Sequence, residues 1–106
     1  MPMINALKAI AEPRRQEILR LVWNRERAAG DIAQHFDVSR PAISKHLRIL
    51  REAGLVDERR KGTQRLYSAR AESLLELRRF LDSFWDEGLQ AIKQAAEAGS
   101  RGGERG

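Results

Sequence analysis

The stretch Ser39-Arg-Pro-Ala-Ile-Ser-Lys-His-Leu-Arg-Ile-Leu-Arg-Glu-Ala-Gly54 constrains the fold more than any other part of the chain. Ser39 is a residue type suited to helix N-capping, since its hydroxyl accepts from an unpaired N–H of the first turn. Gly54 takes readily to the left-handed conformation that ends a helix. A helix over 39–53 is therefore expected. At about 100° per residue, Ile43, Leu47 and Leu50 fall on one narrow face. Pro41, Lys45, Arg48 and Glu52 fall opposite, with Arg40 and Ser44 flanking the seam. Such a helix lays one stripe on a core and shows a small, basic N-terminal end to the outside. The DNA major groove accepts an end of that kind: backbone N–H groups and Arg or Lys meet phosphates, while Arg, Ser and Lys reach base edges.

The flanking segments supply the rest of a small domain. Upstream, Ile4, Leu7 and Ile10 have helical spacing over 3–11, and Glu12-Pro13 interrupts them. A proline disfavours helix in the residue before it and fits the first turn of the next helix. A second helix is expected from Pro13 to about Trp23, with Ile18, Leu19 and Val22 inward and Arg14, Arg15 and Arg20 on a solvated face. Arg14 and Arg15 are secondary candidates for a phosphate contact. Residues 24–27 read as a loop, and Ala29 to Phe36 as a short third helix with Ile32, Ala33 and Phe36 inward. Ala28 stands where a better N-cap is expected. Two short helices in tandem, the second with an exposed polar start, make a helix-turn-helix.

Downstream, Leu55–Arg60 and Gln64–Ser68 are β-capable runs separated by Lys61-Gly62-Thr63, which reads as a hairpin. A lone hairpin is marginal in water, so this one leans on the helices as a wing. Arg59, Arg60, Lys61 and Arg65 form its phosphate-contacting set, with Thr63 and Gln64 as neutral hydrogen-bonding groups and Tyr67 beneath it.

A last helix is expected over 71–98, with Leu74, Leu77, Leu81, Phe84, Trp85, Ile92 and Ala95 at three- and four-residue spacing. It would span roughly 40 Å, more than a domain this size covers, and the simplest second surface is another copy of the same helix. Ile4, Leu7, Leu74, Leu77, Leu81, Phe84, Trp85 and Ile92 are the expected dimer interface. Residues 1–98 thus make one domain carrying a dimerisation helix, and Gly99–Gly106 a disordered tail.

Composition narrows the function. The 106 residues contain 20 Lys+Arg against 15 Asp+Glu, a net charge of +5, which suits a polyanionic partner. Cysteine is absent, which removes disulfides, thiolate metal sites and cysteine nucleophiles. No apolar run approaches the roughly 20 residues of a membrane span, and the N-terminus lacks the pattern of a signal peptide; a cytoplasmic location is expected. No Ser/His/Asp arrangement, glycine-rich phosphate loop or metal motif supports an enzyme.

The order of elements resembles the ArsR family of bacterial winged-helix transcriptional repressors. The residues carrying the resemblance are Ala11–Leu19, Ser39–Leu47, Leu50–Val56 and the hairpin Arg59–Tyr67. Phe80-Leu-Asp-Ser-Phe-Trp85 is similar to the last helix of non-metal-sensing members that share the Arg-Pro-Ala recognition helix. The resemblance implies a mainly α fold with a small β-hairpin, a winged helix-turn-helix that dimerises through its terminal helices. It further implies a homodimer on a palindromic operator of double-stranded DNA, repressing its own or a neighbouring operon. The helix from Ser39 would enter the major groove and the Lys61-Gly62 hairpin the backbone or minor groove. Two copies would address half-sites about 34–36 Å apart.

The chain departs from metal-sensing members. Arg27-Ala-Ala-Gly-Asp31 offers no soft ligand where they carry thiolates, and the last helix has Asp82, Asp86 and Glu87 but no histidine. No metal or cofactor is therefore expected, and no residue pattern identifies a small-molecule effector. The DNA-contacting set is Ser39, Arg40, Pro41, Ser44, Lys45 and Arg48 with Arg59, Arg60, Lys61, Thr63 and Arg65 of the wing. His46 lies at the core edge of its helix and reads as packed, whereas His35 lies at the surface. Two other functions fit the residues: a nucleoid-type binder of low specificity, and a protein-interaction module using the 71–98 helix.

Overall fold

A computed structural model describes residues 3–103. Five helices and three strands follow in the order α1 (Met3–Ile10), α2 (Pro13–Leu21), β1 (Arg27–Ala28), α3 (Ala29–Ala33), α4 (Arg40–Glu52), β2 (Val56–Lys61), β3 (Gln64–Ala69) and α5 (Ala71–Gly103). No helix among them is long and apolar enough to cross a membrane.

The punctuation is local chemistry. Glu12 caps α2, its Oε1 accepting from the N–H of Arg14 at 2.6 Å and of Arg15 at 3.1 Å. Ser39 caps α4, its Oγ accepting from the N–H of Ala42 at 3.2 Å. At the far end of α4, Gly54 has φ +78°. The N–H of Leu55 then reaches the carbonyl of Leu50 at 3.0 Å and that of Gly54 reaches Arg51 at 2.9 Å, the paired bonds of a Schellman cap. Ala28 supplies no side-chain cap to α3. That helix ends at Ala33, and residues 34–36 continue as tighter turns, shorter than the helix to Phe36 expected from sequence.

The sheet has three strands in the order β1-β3-β2, all antiparallel. The hairpin β2–β3 is the expected wing, but the loop reading of residues 24–27 needs correction at Arg27. Arg27 and Ala28 pair with Tyr67 and Leu66, giving the wing a third strand. Two residues show no alternation, so pairing to β3 alone makes them a strand. The Ala69 N–H also donates to the Val22 carbonyl at 3.0 Å, which anchors the end of β3 to the end of α2.

The core is built from α4 outward. Ile43, Leu47 and Leu50 are buried, as the wheel predicts, against Ile18, Leu19 and Val22 of α2 and the residue after it, Ile32 of α3, and Leu55. Burying a side chain of this kind stabilises the fold by about 1.5–3 kcal/mol, so this layer fixes how α4 sits.

The start of α5 belongs to the same core. Leu77 is only 3% exposed and Leu74 is packed against the cluster, as is Leu7 of α1. Leu77 therefore leaves the expected dimer interface: its side chain is covered by its own chain. Every residue from 78 to 99 is exposed, and the molecule measures 68 × 28 × 21 Å because α5 runs past the domain. That helix continues to Gly103, beyond the end expected at 98, so residues 99–103 are helical rather than part of a disordered tail; 104–106 lie outside the described residues.

Candidate nucleic-acid interface

Because Ile43, Leu47 and Leu50 are held in the core, the opposite face of α4 has one possible direction. Ser39, Arg40, Pro41, Ser44, Lys45 and Arg48 are all exposed on it. Most of these residues line a cleft of about 950 Å³ together with Gly30, Asp31 and Gln34 on one side and Thr63, Gln64, Arg65 and Tyr67 of the wing on the other. Arg40 leans towards α3, its guanidinium 3.6 Å from where a Cβ on Gly30 would sit. Among the described residues, Arg40, Lys45, Arg48, Arg60 and Lys61 make no ion pair within the chain.

The wing sorts its cations by face. In the register of β2 and β3, Val56, Glu58 and Arg60 face the same way as Ala69, Tyr67 and Arg65, their cross-strand partners. Arg60 and Arg65 are thus directly opposite each other on the cleft side. Like charges so placed are unfavourable in the isolated chain, an arrangement that a polyanion would relieve. Gly62, with φ +62°, makes the turn between them possible.

Arg59, one of the expected phosphate-contacting set, is held by an ion pair in the chain on its own. It lies on the other face, where its Nε and Nη2 donate to the two carboxylate oxygens of Glu26 at 3.0 and 2.6 Å. This hydrogen bond holds the Glu26 carboxyl below its ordinary range. Arg59 braces the wing against the loop after α2. Of the other wing residues, Arg60 and Lys61 make no ion pair among the described residues, and Arg65 is 3.7 Å from Glu58.

Residues 12–58 match the bacterial regulatory protein, arsR family. The transcriptional repressor SdpR of Bacillus subtilis is 40% identical over 86 residues, covering 81% of this chain and 96% of that protein. A crystal structure of a possible transcriptional regulator for arsenical resistance superposes with a TM-score of 0.73 at 40% identity, over 84% of this chain and 93% of the other. The homodimeric winged helix-turn-helix DNA-binding domain Mb0332 from Mycobacterium bovis, solved in solution, gives a TM-score of 0.64 at 33% identity, over 83% and 82%. The chain belongs to the ArsR family. It is a transcriptional regulator of that family and not an enzyme.

This ArsR-family chain carries supports around the cleft that local patterns did not reveal. Glu58 of β2 accepts from the Tyr67 hydroxyl at 2.8 Å and from Arg51 Nη1 at 2.9 Å. Those bonds, the tyrosine's first, keep its carboxyl below the ordinary range against the cost of partial burial. Burial, reinforced by Glu58, pushes the Tyr67 phenol up. Glu58 therefore ties the end of α4 to both wing strands and offsets the charge of Arg51 and Arg65. The alternation of Val56, Glu58 and Arg60 is the signal that could have placed it.

Arg15, a secondary phosphate candidate, is structural. Its Nε donates to the Ala9 carbonyl at 2.6 Å, its Nη2 to the Lys8 carbonyl at 3.2 Å, and its Nη1 faces His46 Nδ1 at 3.2 Å. Guanidinium has only donors, so Nδ1 is the acceptor. Burial lowers the His46 pKa first; Arg15, Arg14 and Lys45 add to the effect and Glu12 opposes it. His46 is thus a packed residue behind the reading face, and His35 is exposed with Nδ1 3.0 Å from the Asp31 carbonyl. Among the described residues no group of three or more His, Cys, Asp or Glu could hold a metal ion.

Proposed function

We propose that two copies of this chain bind a palindromic operator in double-stranded DNA and repress transcription, working on the chromosome in the cytoplasm. The observation that carries this reading is the row Arg40, Ser44, Lys45 and Arg48. It is exposed and, among the described residues, makes no ion pair, on a helix whose other face is locked into the core. In the major groove, Lys45 and Ser44, within the first two turns, would reach base edges. Arg40 and Arg48 would meet phosphates. Arg60 and Lys61 would rest on the backbone or in the minor groove beside it. Ile4, Leu81, Phe84, Trp85 and Ile92, between 42% and 67% exposed, would supply the dimer contact, with Leu75, Phe80 and Leu89 as further exposed apolar groups.

The test is a gel-shift titration with DNA selected by the protein from a random pool, set against unrelated DNA, at two salt concentrations. Lys45→Ala should cost about 1–3 kcal/mol of discrimination between the two. Lys61→Ala should weaken both alike and lower the salt slope by about 1. Equal affinity of the unchanged protein for both DNAs would replace the operator reading with low-specificity binding. Two variants that bind as the unchanged protein does would overturn the assignment of both surfaces.

A further inference from the structure

We propose that Arg15, behind the recognition helix, is a positioning residue for DNA reading: through the neutral ring of His46 it holds the N-terminal half of α4 where Ser44 and Lys45 reach base edges. The inference rests on the major-groove reading above and adds which residue outside the cleft sets its discrimination.

Three acceptors from two helices converge on one side chain. Arg15 Nε donates to the Ala9 carbonyl at 2.6 Å and Nη2 to the Lys8 carbonyl at 3.2 Å, and Nη1 lies 3.2 Å from His46 Nδ1. Lys8 and Ala9 are in the last turn of α1, where carbonyls have no partner within their own helix and a cation is favoured. The far end of the guanidinium is thus fixed to α1, which is itself seated in the core by Ala6 and Ala9, both fully buried. Gln16 adds a second tie, its Nε2 donating to the Ile10 carbonyl at 2.7 Å. A planar fork with donors on three nitrogens meets this set; an ammonium at one point does not.

The near end acts on α4. His46 follows Lys45 in the chain and stands half-buried beside the face that carries Ile43, Leu47 and Leu50. Apolar burial is non-directional, whereas a hydrogen bond weakens steeply away from its line. The Arg15 contact therefore fixes the small slide and rotation that the stripe leaves open. Base-edge contacts are what such a displacement damages, since they are hydrogen bonds limited to about 2.7–3.2 Å. The attraction of Arg40, Arg48 or Lys61 to phosphate falls off only gradually with distance. Loss of the brace lowers discrimination and leaves affinity for unrelated DNA nearly as it was.

A proton on His46 breaks the brace. It turns the acceptor Nδ1 into a donor and sets one cation against another. The charged groups around the ring are Arg14, Arg15 and the Glu12 carboxylate at the start of α2, and Lys45 on α4 itself; α1 contributes the two carbonyls. Burial, aided by the three cations and opposed by Glu12, holds the ring's pKa below its ordinary value. The ring is neutral at ordinary pH, and the brace is lost only in more acidic solution.

The test measures affinity by gel-shift titration for DNA selected by the protein from a random pool and for unrelated DNA, at about pH 7.5 and about pH 5.5. Arg15→Lys keeps the charge and loses the fork. At the higher pH its ratio of selected to unrelated affinity should fall by about tenfold, with the salt slope on unrelated DNA unchanged. In the unchanged protein the same ratio should fall on acidification; added charge alone would raise both affinities alike and leave the ratio where it was. His46→Gln, whose amide oxygen still accepts from Arg15, should keep its ratio at both pH values. His35→Gln, which alters the only other histidine, should respond to acid as the unchanged protein does. Should Arg15→Lys not fold, the pH profiles of the unchanged protein and of His46→Gln decide the matter. A ratio that shifts with neither Arg15→Lys nor acid, or an acid effect that persists in His46→Gln, overturns the inference and leaves the major-groove reading standing. Equal affinity of the unchanged protein for both DNAs at both pH values overturns that reading and the inference with it.

Discussion

Helices α4 and α5 are both amphipathic, and each is finished on only one side, but the sides are opposite. In α4 the apolar stripe of Ile43, Leu47 and Leu50 is buried and, among the described residues, Arg40, Lys45 and Arg48 on the outer side make no ion pair. In α5 the stripe is buried only through Leu77, and beyond it apolar residues as large as Trp85 stand in water. The first helix lacks a polyanion and the second lacks an apolar surface. A chain partitioned in this way meets two kinds of partner, and neither contact substitutes for the other.

The sharpest way to break this comparison is to damage each stripe separately. Phe84, 60% exposed and stacked on Phe80 with ring centroids 6.3 Å apart, is not a member of the buried core. Phe84→Asp should leave folding stability within about 0.5 kcal/mol and convert dimer to monomer by light scattering. Operator affinity should fall by about 10²–10⁴-fold as avidity is lost. Leu47→Ala, in the finished stripe, should do the reverse: a loss of about 2–5 kcal/mol in denaturant unfolding, with any remaining folded protein still pairing through α5. If Phe84→Asp unfolded the chain, α5 would be part of the core and the contrast would fail.

A smaller effect is expected at Glu58. Glu58→Gln removes the charge that holds Arg51 and faces Arg65 while keeping the side chain's shape. Affinity for unrelated DNA should rise and its salt slope should steepen by about 1 for each cation released. The ratio of selected to unrelated DNA should fall. Unchanged slopes would show that these arginines never face phosphate.

The smallest effect is that of His46. Its folded pKa lies below the ordinary value, chiefly through burial. The unfolded chain therefore binds more protons in the window between the two, and stability falls as pH drops from the ordinary histidine range through the folded value. His46→Gln should flatten this part of the stability–pH curve measured by denaturant titration. A curve of the same steepness in the variant would assign the acid sensitivity to other groups.

Much of this was legible in the sequence because the deciding features are local. Ser39, Gly54 and the three-residue apolar stripe specify α4, and the Gly62 turn specifies the wing. Contacts between residues distant in the chain were not legible. The Arg59–Glu26 pair spans 33 positions and the Arg15–His46 contact 31, and no period in the sequence records either. Leu77 shows the same limit from another side. Periodicity places it on the stripe with Leu81 and Phe84, but only the packing of α5 on its domain decides where the stripe stops being core. β1 was missed because two residues carry no alternation.

The central claim is that the outer face of α4 reads DNA, twice per complex. Hydroxyl-radical footprinting of the selected DNA with unchanged and Lys45→Ala protein tests it most directly. The account predicts two protected major-groove half-sites about one helical turn apart, both fading in the variant. Protection of a single half-site, or a footprint indifferent to Lys45, would contradict it.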